Sequence, residues 1–132
     1  PNGAPGIETR MMLLWDAVAD GRITPQRFVD ITSASPAKLF GLYPRKGTIA
    51  PGSDADIVIF DPEKRHLITA ANQHSQVDYN LYEGTEVTGA PEVVLLRGNV
   101  LVESGALLAE PGVGQFVERA AFGQELLSTA AR

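Results

Sequence analysis

The feature that most limits what this chain can fold into is a change of hydrophobic period near residue 45. Before it, apolar residues recur at helical spacing; after it, they gather into short β-branched runs. In "GIETRMMLLWDAVADG" (6–21), Ile7, Met11, Leu14, Trp15 and Val18 share one helical face. Glu8 falls in the first turn, where the helix dipole favours an acid, and Gly21 is placed to end the helix. "ITPQRFVDITS" (23–33) predicts a second helix with Thr24 as N-cap and Pro25 at the first helical position. "SPAKLFG" (35–41) predicts a third by the same device, with Ser35 capping, Pro36 opening and Gly41 closing. Beyond residue 45, "IVIF" (57–60) predicts a buried strand and "HLIT" (66–69) another. "EVVLLRGNVLVESGAL" (92–107) predicts a hairpin around "RGN" with a second turn at "ESG". The tail, 109–132, turns at "PGVG" and continues into a short amphipathic stretch, "QFVERAAFGQELL".

The helical half carries more apolar surface than a few strands can cover. Met11, Leu14, Trp15, Phe28, Ile31, Leu39 and Phe40 call for a large partner surface, such as a sheet or barrel. The chain opens at Pro1 in "PNGAPG", a run of turn formers with no element before it, so it is expected to begin inside a larger protein. Composition narrows the function classes. The 44% hydrophobic and 20% charged fractions are those of a folded domain. The 11 basic residues are scattered in a chain of net charge −5, which argues against nucleic-acid binding. No apolar run approaches the roughly 18 residues of a membrane span. Cys is absent, so there is neither a disulfide framework nor a thiolate metal site. A cytoplasmic protein is the expectation.

Candidate chemistry is sparse. "KGTIAPGSDADIVIFDP" (46–62) holds Asp54, Asp56 and Asp61. In an extended strand Asp54 and Asp56 share a face and could bind a hard cation or share a proton. The alternative is a Gly-Ser-Asp turn into a strand, with Asp bonding nearby backbone N–H groups, and Asp61-Pro62 as the turn that ends the strand. His66 and His74 have no acid at metal-ligand spacing, and a zinc site needs more ligands than two imidazoles supply. They read as a strand-end and a loop histidine. No serine lies in a nucleophile elbow. "VDYNLYEGTEV" (77–87) brings together Asp78, Tyr79, Asn80, Tyr82 and Glu83, either as a catalytic Tyr–Glu set or as an ordered polar loop. No self-sufficient active site is visible.

Three segments carry a resemblance: "KLFGLYPRKGTIAPGSDADIVIFDP", "HSQVDYNLYEGTEVTGAPEVVLLRGNVLVESG" and "PGVGQFVERAAFG". Together with "PNGAPGIETR" they resemble the C-terminal part of dihydropyrimidinases and D-hydantoinases, cyclic amidases of the amidohydrolase superfamily. The resemblance implies an α/β fold class. Residues 1–45 would be the last outer helices of a TIM barrel, 46–108 most of a small β-sandwich, and 109–132 a C-terminal arm onto a neighbouring subunit of a tetramer or dimer. It implies two divalent metal ions, zinc as a rule, held upstream of this chain by histidines, an aspartate and a carbamylated lysine, where a bridging hydroxide opens the ring of a cyclic amide. None of those ligands maps onto these residues, and Asp54 and Asp56 become structural. One position carries over. Asn2 matches an asparagine whose main chain contacts the substrate's ring amide; a plain Asn-Gly turn is the alternative. Two other readings stay open: a non-enzymatic scaffold resembling the collapsin-response mediator proteins, and a free-standing β-rich binding module.

Overall fold

The computed structural model describes residues 3–120. The chain forms two compact units. The first draws on the chain up to Pro25 and on Phe60–Pro91, the second on Gln26–Ile59 and the chain from Glu92. A four-stranded sheet has the order β1 (Ile57–Ile68), β2 (Thr85–Leu96), β3 (Asn99–Glu103), β4 (Ala106–Leu107). The β2–β3 and β3–β4 pairs are antiparallel.

In the first unit, helix α1 (Arg10–Ala19) buries Met12 against Ile68, Val87 and Ala90, with Leu13 packed beside them. Trp15 lies against Phe60, ring centroids 5.0 Å apart, and its Nε1 donates to Pro62 O at 3.2 Å. Asp16 Oδ1 accepts the Thr88 N–H at 2.9 Å, tying the helix to β2 by a charged acceptor. Gly89, at φ +87°, is required here, because a Cβ would sit 2.2 Å from Trp15 Cδ1 and 2.8 Å from Phe60 Cε1. The helix ends as predicted: Gly21 N–H bonds Val18 O and Arg22 N–H bonds Ala17 O, the paired closure of a Schellman motif. Its start differs. The helix begins at Arg10, not Gly6, and Ile7 is 90% exposed. Glu8 precedes the helix, because its carboxylate is engaged elsewhere in the unit.

The run from α2 (Pro25–Val29) through a π-helical turn (Asp30–Ala34) to α3 (Ser35–Leu39) is continuous, where two separate helices were predicted. Ser35 does not cap. Its backbone is helical (φ −64°, ψ −45°) and its Oγ donates to Asp30 Oδ1 at 2.6 Å. Pro36 has no N–H to give, and its ring crowds the carbonyl one turn back. The wider π turn carries the helix past it without a break. The Ser35 hydrogen bond is the main reason the Asp30 carboxyl titrates below its ordinary range; burial opposes it, and Arg27, 2.5 Å away, adds to it. Phe28 and Ala37 are buried, while Leu39 and Phe40 stay more than half exposed. The run closes in a second Schellman motif at Gly41, φ +68°, whose carbonyl accepts the Ala120 N–H at 2.8 Å. A Cβ there would lie 2.3 Å from Ala120 O.

Strand β1 corrects two expectations. It passes through Asp61-Pro62, predicted to end it, and takes in His66, Leu67 and Ile68 of "HLIT" as its own far end. Asp61 Oδ1 accepts the N–H groups of Glu63 and Lys64 at 2.9 and 3.2 Å, giving that stretch a local acceptor. Val58 and Ile59 are exposed rather than buried. The hairpins stand where they were predicted. Arg97-Gly98 and Ser104-Gly105 join the strands as two-residue turns with positive φ at both positions, the type I′ signature that suits the strand twist. Leu101 is left out of the β2–β3 register, and its carbonyl takes the Leu108 N–H at 2.8 Å. Residues 109–120 run without helix or strand; the rest of the tail lies outside the described residues. No described helix is long and apolar enough to cross a membrane.

Candidate functional site

The chemistry-bearing residues fall into two places, one in each unit. In the first unit, the segment before α1 faces the loop that follows β1. Thr69 begins a 3₁₀ turn, Ala70–Asn72, closed by a reciprocal box in which Asn72 Oδ1 accepts the Thr69 N–H at 3.1 Å. Glu83 Oε2 accepts the Ala70 N–H at 2.7 Å, so one carboxylate oxygen from "DYNLYEG" serves that turn. Asn80 Oδ1 accepts the Tyr82 N–H at 2.9 Å, and Gly84 N–H bonds Ile68 O at 2.8 Å. Of the two readings of this stretch, the geometry favours the ordered polar loop, with Glu83 as a backbone acceptor.

Glu8 joins that loop to the helix-leading segment. Its Oε2 accepts the His74 N–H at 2.8 Å and its Oε1 lies 2.7 Å from His74 Nδ1, a two-point contact between residues 66 positions apart. Thr9, beside it, is 1% exposed, and its Oγ1 donates to Gly6 O at 3.4 Å. A recess of about 470 Å³ opens between Ala4–Glu8 and the 70–80 loop, with a mainly apolar lining that includes Ile7, Val77 and Tyr79. Asn2, the predicted substrate contact, lies outside the described residues. His66 is in β1, its Nε2 buried and without a partner among the described residues. The structure thus gives His74 a partner that spacing could not suggest. Glu8 reads as a helix acid in sequence, and a pair so distant leaves no local signal.

The second place is the turn into β1. Lys46 Nζ contacts Asp54 Oδ2 at 2.8 Å and also Asp56 Oδ2, and Arg45 Nε reaches Asp54 Oδ2 at 3.0 Å. Asp56 Oδ1 accepts the Arg97 N–H at 2.9 Å, and Ser53 Oγ donates to Pro44 O at 2.8 Å. The Lys46 hydrogen bond is the main reason the Asp54 carboxyl titrates low; burial opposes it and Arg45 assists. Burial works against the charge on Lys46, but its bonds to the two carboxylates prevail and raise its titration. The two aspartates do share a face, and an ammonium occupies it. They bind the loop together, as the structural reading expects. Among the described residues no group of three or more His, Cys, Asp or Glu side chains is placed to hold a metal ion.

Residues 3–101 match the model of the amidohydrolase family. The chain is 48% identical to a D-hydantoinase of Ralstonia pickettii over 124 residues, 94% of this chain and 27% of that protein. It is 52% identical to a D-hydantoinase of Geobacillus stearothermophilus over 124 residues, 93% of this chain and 26% of that one. The crystal structure of a dihydropyrimidinase from Brevibacillus agri NCHU1002 superposes with a TM-score of 0.90 at 48% identity, covering 93% of this chain and 27% of that chain. The chain therefore spans about a quarter of the length of the curated relatives it matches.

Proposed function

The chain belongs to the amidohydrolase family, and from that premise we propose that it is part of a hydrolase that opens cyclic amide rings. Its substrates are dihydropyrimidines or hydantoins, and the products are N-carbamoyl amino acids. The observation that carries this reading is the close identity to D-hydantoinases along nearly the whole chain.

In this reading residues 1–45 are the last outer helices of a TIM barrel. Residues 46–108 supply most of a small β-sandwich, and 109–132 form an arm onto a neighbouring subunit of a dimer or tetramer. The half-exposed Leu39 and Phe40 fit helices that face a barrel. The ring-opening centre is a pair of divalent metal ions, zinc as a rule, with a carbamylated lysine among its ligands. The described residues do not fit such a centre. They offer no group of three possible ligands, and Asp54 and Asp56 are taken up by Lys46. In this reading the metal ligands lie upstream of this chain, and no metal-borne step is assigned to it. What this chain supplies is Asn2, whose main chain would receive the ring amide, and the framework that holds its segment at the mouth of the barrel. The compartment is the cytoplasm.

The test is ring opening by the full-length protein, loaded with zinc, on hydantoin and dihydrouracil, read as release of the N-carbamoyl product and with intact mass and metal content from the same preparation. Turnover that disappears with a chelator and returns with zinc is expected. A metal-loaded protein that leaves both rings intact overturns the reading and favours the non-enzymatic scaffold.

A further inference from the structure

We infer that Arg97 is a latch for the tail: a strained residue of the β2–β3 hairpin whose guanidinium sets the course of the chain after β4. The inference deepens the arm of the function proposed above, and its first readout stands without that reading.

Among the described residues, two that are not glycine have positive φ, Arg97 at +48° and Ser104 at +51°, and each opens a two-residue hairpin turn. Glycine, asparagine or aspartate suits that position best, because a larger side chain crowds the backbone there. Strain of this kind points to a use for the side chain. Ser104 Oγ donates to Glu92 Oε1 at 2.6 Å, a bond that stays within the sheet. Arg97 Nη2 instead leaves the sheet and donates to Val113 O at 2.8 Å. The base of that bond is firm, since the N–H groups of Arg97 and Gly98 bond Asp56 Oδ1 and Ala55 O, each at 2.9 Å. Burial does little to hold the tail. Leu108 is 55% exposed, Val113 40% and Phe116 92%, and hairpin and tail line a recess of about 470 Å³ between them. Discrete hydrogen bonds therefore set its path. Leu108 N–H bonds Leu101 O and Ala120 N–H bonds Gly41 O, and the Arg97 bond fastens the stretch between them.

The experiment uses the full-length protein with Arg97→Gly, Arg97→Lys and, as a control, Ser104→Gly. Arg97→Gly relieves the strain and removes the guanidinium, so it moves hairpin and tail in opposite directions. Amide exchange at Leu108 and chymotrypsin cleavage after Phe116 are each expected to quicken about fivefold, the size of one exposed hydrogen bond. Exchange within β2 and β3 is expected to hold steady or slow, because glycine takes positive φ without crowding. Arg97→Lys keeps the strain and the charge but replaces the planar fork with a compact ammonium, and is expected to fall between Arg97→Gly and the parent. Ser104→Gly relieves the same kind of strain and should leave the tail at parent rates. A tail at parent rates in Arg97→Gly, or hairpin and tail loosening together, overturns the latch. Sedimentation of the same variants tests the arm separately. A loosened tail with a larger share of small species supports both latch and arm. A loosened tail with the assembly unchanged supports the latch and overturns the arm.

Discussion

Asp56 accepts the backbone N–H of Arg97, 41 residues further along the chain, at 2.9 Å. The same carboxylate also contacts Lys46. One side chain thus fastens the hairpin tip to the turn that leads into β1. Arg97 is held at φ +48°, an uncommon conformation for a residue with a Cβ, and its guanidinium returns to Val113 O at 2.8 Å. Asp56→Ala removes the acceptor from a backbone donor and one partner from Lys46. A loss of about 1–2 kcal/mol is expected in urea unfolding. Faster amide exchange at Arg97, with little change at Ala90 in the other unit, would locate the effect.

The Lys46 cluster makes stability depend on pH in a direction that the shifts determine. Asp54 is depressed, so its contribution is complete above the ordinary carboxylate pKa of about 4 and is lost as pH falls through its lower folded value. Lys46 is raised, so its contribution is complete below about pH 10 and is lost as pH rises through its higher folded value. Melting temperature measured across pH should be level between these limits and fall at both ends. Lys46→Met should flatten both limbs.

Gly89→Ala should be among the most damaging small substitutions in the first unit. The new Cβ meets Trp15 and Phe60, and φ +87° strains any residue with a side chain. A cost of about 2–3 kcal/mol follows from overpacking. Trp15 is the sole tryptophan, so its fluorescence reports the displacement directly.

Gly41→Ala should release the tail. The added methyl cannot coexist with Ala120 O at 2.3 Å, and the left-handed helix end disfavours it as well. About 1 kcal/mol is expected from the helix end. The sharper readout is trypsin, which should cleave after Arg119 much faster than in the parent.

Much of the local structure was legible in the sequence because local chemistry determines it. Gly21 and Gly41 end helices by supplying the conformation that a Schellman motif needs. "RG" and "SG" turn hairpins because strand twist demands positive φ. What was not legible depends on long-range partners. Ser35 in front of Pro36 has the pattern of a helix start, but the π turn absorbs the proline, and Asp30 takes the hydroxyl. Asp61-Pro62 has the pattern of a turn, but pairing with the rest of the sheet carries β1 through it. In the candidate site, the spacing of Asp54 and Asp56 allowed a cation site as well as a Gly-Ser-Asp turn, and the structural role came from the resemblance. Neither the Lys46 ammonium between them nor the Glu8–His74 contact has a sequence signal, since each side chain has a sufficient local explanation.

The β2–β3–β4 meander closes through two-residue turns, and contacts so near in sequence form within about 10 μs. Its fastenings come from upstream: Asp56 on Arg97 and Asp16 on Thr88 span 41 and 72 positions. During synthesis those carboxylates leave the ribosome first and wait for their donors. At roughly 5–20 residues per second, Asp56 waits about 2–8 s for Arg97. Lys46, which contacts the same carboxylate, is made ten residues before Asp56. The finished fold keeps that lysine on one oxygen of Asp56 while the Arg97 N–H takes the other, so the acidic turn holds two partners made at different times.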